Sequence, residues 1–276
     1  MKLCAKSITI VIPLHNEVHY TRLCLESLQK HGAGGARLLL IDNASSDGTS
    51  EFLESWPGIE VLSNRENLGC AGAWNQGIRE SSSEWLLFLN NDVIVAPGWL
   101  EGLLDFALQH DLDLVSPAIR EGEYNYDIVQ YAGDFVKKMG CASRMGTAHG
   151  VCFMVHRRVF EALGGFDENF RIGQFEDADF FRRAARGGFR LGITGRSFLH
   201  HFGSVTQNAI KKRQDIGPYE AQNRSYYRKK WKLSCWRRLQ ERQLRKWREL
   251  VWRNCEGLRF GHTLIEKWLS GRLHYY

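Results

Sequence analysis

The sequence predicts an α/β fold on a doubly wound, mostly parallel sheet, and three observations predict it. Short apolar runs rich in β-branched residues, SITIVIPLHN (7–16) and ARLLLIDNAS (36–45), suit strands buried on both faces. Segments with apolar residues at helical spacing separate such runs. The runs end in polar clusters, at Leu14–Glu17, Asp42–Asp47 and Asn90–Asp92, and ligands of open α/β sheets sit beyond the carboxyl ends of the strands.

Each element has its own signal. The first run ends at Pro13, and YTRLCLESLQK (20–30) places Leu23, Leu28 and their neighbours at helical spacing before the Gly-rich segment 32–35 closes that helix. The second run is apolar from Leu38 to Ile41, after which Ser46 and Asp47 offer caps for a helix through Glu54. IEVLSN is a third strand, Gly72 to Glu80 a further helix, and WLLFLNND a fourth strand ending in amides and a carboxylate. Farther on, DLVSPA reads as a strand, 121–150 as loop-rich, and VCFMVHRRVFEAL as a strand running into a helix. Beyond about Ile210, Trp236, Leu244, Trp247 and Val251 recur at helical spacing, which predicts one or two amphipathic helices to the end of the chain.

With 276 residues, 43% hydrophobic and 12% aromatic, the chain can bury a full-sized core, which excludes disorder and disulfide-stapled miniature folds. Its seven cysteines are odd in number and never spaced as CxxC, so neither a disulfide framework nor a zinc ribbon is expected, and a reducing cytoplasm is. No apolar run reaches the roughly 18 residues of a membrane span, and the amino-terminal apolar stretch is too short for a signal peptide. The net charge of +6 is unevenly placed: positions 211–276 hold 18 Lys+Arg against 6 Asp+Glu, leaving positions 1–210 at −6. The basic character belongs to the tail.

Five clusters are candidates for chemistry. In IDNASSDGTSEF, Asp42 can accept hydrogen bonds from a ribose or a base, although Ser46 or Asp47 can equally be plain helix caps. In NRENLGCAGAWNQGI, Asn67, Gly69 and Gly72 allow close backbone approach before a helix N-terminus that attracts phosphate, or simply pack helix on sheet. LNND puts Asp92 where a divalent cation bridging phosphates needs oxygen ligands. GQFEDADFF crowds Glu176, Asp177 and Asp179 at the start of a helix, which favours their charge and supplies a general base. In FLHHFGS, His200 and His201 point to opposite faces of a strand, so one of them at most enters a site.

In order, ITIVIPLHNE, LIDNASSDGTSEF, NRENLGCAGAWNQGI, WLLFLNNDV, GGFDENFRIGQFEDADFFRR and HHFGSVT resemble the family 2 glycosyltransferases of the GT-A fold, over about residues 7–207. The resemblance implies a GT-A domain over 1–210, with a nucleotide-sugar-binding half at 1–110 and an acceptor half at 111–210, and a basic, Trp-rich helical extension at 211–276. It implies that Pro13, His15, Asn16 and Asp42 hold the nucleotide base and that Asn67, Gly69 and Asn75 lie against the nucleotide. Asn90, Asn91 and Asp92 fall on the family's DxD-type element, which contacts ribose, diphosphate and metal. Asn90 stands where the family carries Asp, as in rhamnosyltransferase-like relatives, leaving Asp92 the main carboxylate ligand. Glu176 and Asp177 fall on the acidic motif, with Asp177 as catalytic base, and His201, with His200 as competitor, on a metal-binding histidine.

The implied activity is inverting transfer of a hexosyl or rhamnosyl group from a nucleotide-diphosphate sugar to a hydroxyl of a glycan, lipid-linked or protein acceptor in envelope polysaccharide synthesis, with Mn²⁺ or Mg²⁺ as cofactor. The basic, aromatic stretch 224–276 suits an anionic membrane surface, which makes the expected enzyme cytoplasmic and peripheral on the inner face of the membrane. Its other candidate partners are the acidic body and a second copy in a homodimer. A catalytically silent scaffold is the alternative that Asn90 suggests. A nucleic-acid-binding protein would use the tail but leave the motifs of 10–205 unexplained, so no nucleic-acid partner is expected.

Overall fold

The computed structural model describes residues 7–203, 205 and 219–276. Strand β1 (Ile8–Leu14) is buried along its whole length and pairs in parallel with β2 (Arg37–Asp42) and β4 (Trp85–Leu89), while β2 pairs with β3 (Glu60–Ser63). Helices α1 (Val18–His31), α2 (Thr49–Glu54) and α3 (Gly69–Glu80) make the crossovers. Alternation along β1 explains its double burial: Ile8, Ile10 and Ile12 join one core with Leu25 and Leu28 of α1, and Val11 joins another with Trp74 of α3. This is the expected doubly wound half.

The second half mixes strand directions. After β5 (Val93–Val95) and α4 (Trp99–Gln109) comes β6 (Leu114–Glu121). Strand β8 (Cys152–His156) lies between β4 and β6, antiparallel to both. Strand β9 (Leu191–His201) runs parallel to β6 and antiparallel to β5 and to β7 (Ser143–Met145). Helices α6 (Arg157–Leu163) and α7 (Glu176–Arg186) cover one face, where Phe153, Phe160, Phe166 and Phe180 pack together.

Two expectations are corrected. The stretch 121–150 is not loop-rich: α5 (Ile128–Met139) is capped by Asp127, whose Oδ1 accepts from the Gln130 N–H at 2.8 Å, and buries Ile128, Ala132, Phe135 and Met139. Those residues recur at helical spacing. The tail holds the expected helices, α8 (Tyr219–Lys230) and α9 (Cys235–Phe260), but it ends in a hairpin, β10 (Ile265–Leu269) and β11 (Arg272–Tyr275), that extends the main sheet beside β6. Ser270 and Gly271, both at positive φ, make its two-residue turn.

The tail is also held by polar contacts. Arg144 donates to both carboxylate oxygens of Glu256 at 2.7 and 2.8 Å, with both residues buried. The buried Arg120 guanidinium stacks between Tyr126 and Trp268, 4.0 and 5.0 Å from their ring centres. The tail tryptophans therefore divide: Trp231, Trp252 and Trp268 contact body residues, whereas Trp236 and Trp247 are 77% and 63% exposed. The boundary expected at 210/211 lies outside the described residues, as do Ser204 and Thr206 of the HHFGSVT block.

Candidate active site

The carboxyl ends of β1, β2 and β4, the entry to α3, the start of α7 and the end of β9 surround a cavity of about 430 Å³. Pro13, His15, Asn67, Gly69, Asn90, Asn91, Asp92, Glu176, Asp177 and His201 line it, so distant segments of sequence meet there as expected. Asn16, Asp42 and Asn75 do not line it. Asn16 accepts from the Ser46 N–H at 2.7 Å, and Asp42 accepts from the Ser45 N–H and the Ser50 hydroxyl at 3.0 Å each. Asn16 thereby ties the β1 loop to the β2 loop, and Asp42 braces the β2 loop itself. Asn75 is spent on the 166–168 loop, accepting from the Phe166 N–H at 2.8 Å and donating to the Phe166 carbonyl and to Glu168.

At the α3 entrance, Gly69 has φ +74°, and a Cβ there would lie 2.8 Å from the Ile172 nitrogen. Glycine is needed for both reasons. The Asn67 carboxamide accepts from the Gly69 N–H at 2.9 Å, and the Cys70 N–H donates to the Ile172 carbonyl at 2.8 Å. Ile172, Gln174 and Phe175 all adopt positive φ, an unfavourable conformation for side chains of this kind. The strained turn delivers Glu176 and Asp177 into the cavity. Gly150 faces them: a Cβ there would fall 2.2 Å from Asp177 Oδ2.

Burial, and then the charge of Asp177, pushes the Glu176 carboxyl well above its ordinary value. Burial also raises Asp177, against the N–H groups of Ala178 and its own backbone. Buried Glu176 Oε2 has no hydrogen-bond partner. Of the pair, Glu176, raised by burial and by its neighbour's charge, takes the proton first. The Cys70 thiol is raised by burial and then by Glu176, Asp177 and Asp92, so these three carboxylates act on one point of the cavity.

Strand alternation separates the histidines. His200 turns away to the Tyr126 hydroxyl at 3.0 Å, and burial followed by the neighbouring positive charges lowers it to about 3. His201 enters the cavity with Nε2 3.4 Å from Asp92 Oδ1 and Nδ1 3.3 Å from Glu121 Oε2. Burial lowers its pKa, but Asp92 and Glu121 outweigh burial and bring it up to about 9. Burial likewise raises Asp92, yet the charge of His201 and the Val205 N–H leave it below its ordinary value. Both ring nitrogens of His201 are buried without hydrogen-bond partners. One imidazole and one carboxylate, with Asn90 and Asn91 beside them, fit a hard divalent cation that completes its shell from a diphosphate. Among the described residues no three His, Cys, Asp or Glu side chains form a ready metal cage.

Glu121, Gly150 and Asn43 were missed in the sequence. Glu121 ends β6 as Asp92 follows β4, so the strand-end rule would have found it. Asn43, whose side chain donates to the Gly69 carbonyl at 3.2 Å, directly follows Asp42. Gly150 carries no sequence signal.

The family model for glycosyl transferase family 2 matches residues 9–164, more than half of the chain. The chain belongs to glycosyl transferase family 2. Among relatives of this family 2 glycosyltransferase, the pre-mycofactocin glycosyltransferase of Mycobacterium tuberculosis is 28% identical over 197 residues, 67% of this chain and 40% of that one. Glycosyltransferase AglE of Haloferax volcanii is 26% identical over 242 residues, 83% of this chain and 79% of that one. The crystal structure of GalNAc-T7 with UDP, GalNAc and Mn²⁺ superposes with a TM-score of 0.56 at 18% identity, over 70% of this chain and 43% of that one. At that identity the likeness bears on the fold, which is the expected GT-A type. The general activity of this family 2 glycosyltransferase is sugar transfer. Among the described residues no helix is long and apolar enough to cross a membrane.

Proposed function

We propose that the enzyme moves a hexosyl or rhamnosyl group from a nucleotide-diphosphate sugar to an acceptor hydroxyl with inversion, using Asp177 as general base. One observation carries the reading: Asn67, Gly69 and Asn90–Asp92 share a single cavity with the buried Glu176–Asp177 pair. The α3 N-terminus favours the diphosphate there through its dipole, the Gly69 and Cys70 N–H groups being already bonded to Asn67 and Ile172. Glu176 keeps its proton and spares Asp177 a like-charged neighbour. Asp177, with one oxygen held by the Ala178 N–H at 2.7 Å, has the other for the acceptor proton. Attack from the side opposite the leaving diphosphate is then a single displacement.

Asp92 and His201 would hold Mn²⁺ or Mg²⁺, which neutralises charge developing on a departing diphosphate. In this reading 1–110 is the donor half, 111–210 the acceptor half, and the enzyme works at the inner membrane surface. The outward stripe of α9 supports the last point. At about 3.6 residues per turn, Trp236, Trp247, Leu250 and Leu258 share one face, and all are exposed. Exposed apolar stripes of this kind beside basic residues suit an anionic lipid interface.

The test is Asp177→Asn. Transfer should fall by roughly 10²–10⁴-fold, the usual worth of general base catalysis. Thermal stabilisation by the productive member of a UDP-, GDP- and dTDP-sugar panel with Mn²⁺ should persist, because a ligand of the folded state raises stability by mass action. Near-normal turnover in Asp177→Asn sinks the assignment.

A further inference from the structure

A second groove, of about 1440 Å³, lies between α7, α8 and α9. Among the described residues its walls carry seven arginines and a single carboxylate, Glu241. That carboxylate is already taken: Arg182 donates to it at 2.8 Å. Arg224, Arg228 and Arg242 form no ion pair among the described residues, and Arg238 Nε is buried with no hydrogen-bond partner. Like charges gathered this closely repel one another unless an anion neutralises them. Arginine forks, unlike lysine ammonium groups, match phosphate geometry.

The groove adjoins the catalytic cavity. Phe175, the residue before Glu176, lines both, and Gly146 to Ala148 on the groove wall lead to Gly150 against Asp177. Part of the wall is apolar, with Phe181, Leu191 and Leu233. Helix α9 thus brings Arg238, Arg242, Arg245 and Arg248 to the groove together with Trp236, while Trp247, Leu250 and Leu258 stay out of its lining.

We infer that this groove is the acceptor subsite and that it takes a phosphate-bearing lipid acceptor, the phosphate on Arg228, Arg238 and Arg242 and the chain along the apolar wall. The inference rests on the acceptor-side role of Asp177 proposed above. It names a class of acceptor by charge complementarity and by the groove's continuity with the base.

The experiment uses the full-length protein and reads binding of dodecyl phosphate, below its micelle concentration, by calorimetry without any donor. Dodecyl maltoside is the neutral control and inorganic phosphate the lipid-free one. Dodecyl phosphate should bind at least tenfold tighter than either, and Arg228→Gln/Arg242→Gln, two exposed positions, should weaken it at least tenfold. The donor-nucleotide thermal shift of that variant should match the parent, which also certifies its fold. Equal binding of dodecyl maltoside overturns the anion requirement, equal binding of inorganic phosphate overturns the lipid, and indifference to the double substitution overturns the site. Arginine-dependent capture by phosphatidylglycerol vesicles without binding of monomeric dodecyl phosphate would make the groove a membrane face. An arginine-dependent dimer in sedimentation without amphiphile binding would make it a subunit interface, and either outcome overturns the proposal. Because the readout needs no donor, a failed donor assignment leaves it intact, and the two failures are distinguishable.

Discussion

Lys267, in the C-terminal hairpin, places its Nζ 2.8 Å from Glu121 Oε1, while Glu121 Oε2 lies 3.3 Å from His201 Nδ1. The chain continues from His201 Nε2 to Asp92 at 3.4 Å. The tail therefore reaches the cavity electrostatically although none of its described residues lines it. Burial raises the Glu121 carboxyl, but His201 and Lys267 outweigh it and hold it down to about 2, so Glu121 stays ionised and fixes the imidazole. Outer partners of this kind typically change metal affinity by about 10–100-fold. Glu121→Gln should weaken Mn²⁺ binding within that range, and Lys267→Met by on the order of threefold to tenfold, read as the Mn²⁺ dependence of thermal stability without substrate. Unchanged Mn²⁺ dependence in both would show that the chain of charges orients nothing.

The buried acid pair makes a stability prediction of definite sign. A carboxyl whose folded pKa lies above its unfolded value contributes stability below the unfolded value, and that contribution is lost as pH rises through the folded one. For Glu176 the ordinary value is 4.5. Glu176→Gln should therefore melt higher than the parent above the raised pKa, by roughly 2–4 °C per kcal/mol of strain relieved, and the advantage should vanish below about pH 4.5. The same burial puts the acid limb of kcat/KM above the ordinary aspartate range, because Asp177 must be ionised to act. Equal melting of parent and variant across pH 5–9 would contradict the linkage.

The first half of the fold was legible because its strands are buried on both faces and say so in continuous apolar letters. Asn67, Asp92 and Asp177 were legible for a related reason: each closes or opens an element whose periodicity is plain, so the strand-end rule located it. Asn75 shows where the sequence is ambiguous, because an asparagine that clamps a loop and one that meets a ligand look alike in sequence. The end of the tail looks helical in sequence because Trp268 continues the Trp/Arg composition of α9. Ser270-Gly271, a two-residue hairpin turn, was the local signal against that reading. Gly150 matters only through an approach across the fold, which no local pattern encodes.

Gly150 leads to a sharper test of the base. An added Cβ would sit 2.2 Å from Asp177 Oδ2 and 2.8 Å from its Cγ, so Gly150→Ala must move the carboxylate. Misplacement of about 1 Å costs on the order of 100-fold in rate. The expected outcome is a kcat lowered by about that factor with the donor-induced thermal shift retained. If kcat survives, the Asp177 position shown here is not the one that catalysis uses.

The attachment of the tail is set by a buried ion pair, and breaking it asymmetrically should be costly. Arg144 is 2% exposed and Glu256 6%. Glu256 also accepts from the Leu264 N–H at 2.9 Å, and Arg144 donates to the Tyr276 carbonyl. One pair thus fixes α9, the approach to β10 and the last residue. Removing one partner strands a buried charge, at a cost of about 3–5 kcal/mol, whereas replacing both by apolar groups of similar volume is often near neutral. Glu256→Ala should therefore loosen the hairpin, which amide exchange of β10 and β11 would report, and should weaken Mn²⁺ binding through the loss of Lys267. Arg144→Met/Glu256→Leu should restore part of both. A Glu256→Ala protein with a protected hairpin and parental Mn²⁺ affinity would mean that the sheet pairing of β10 with β6 suffices to seat the tail.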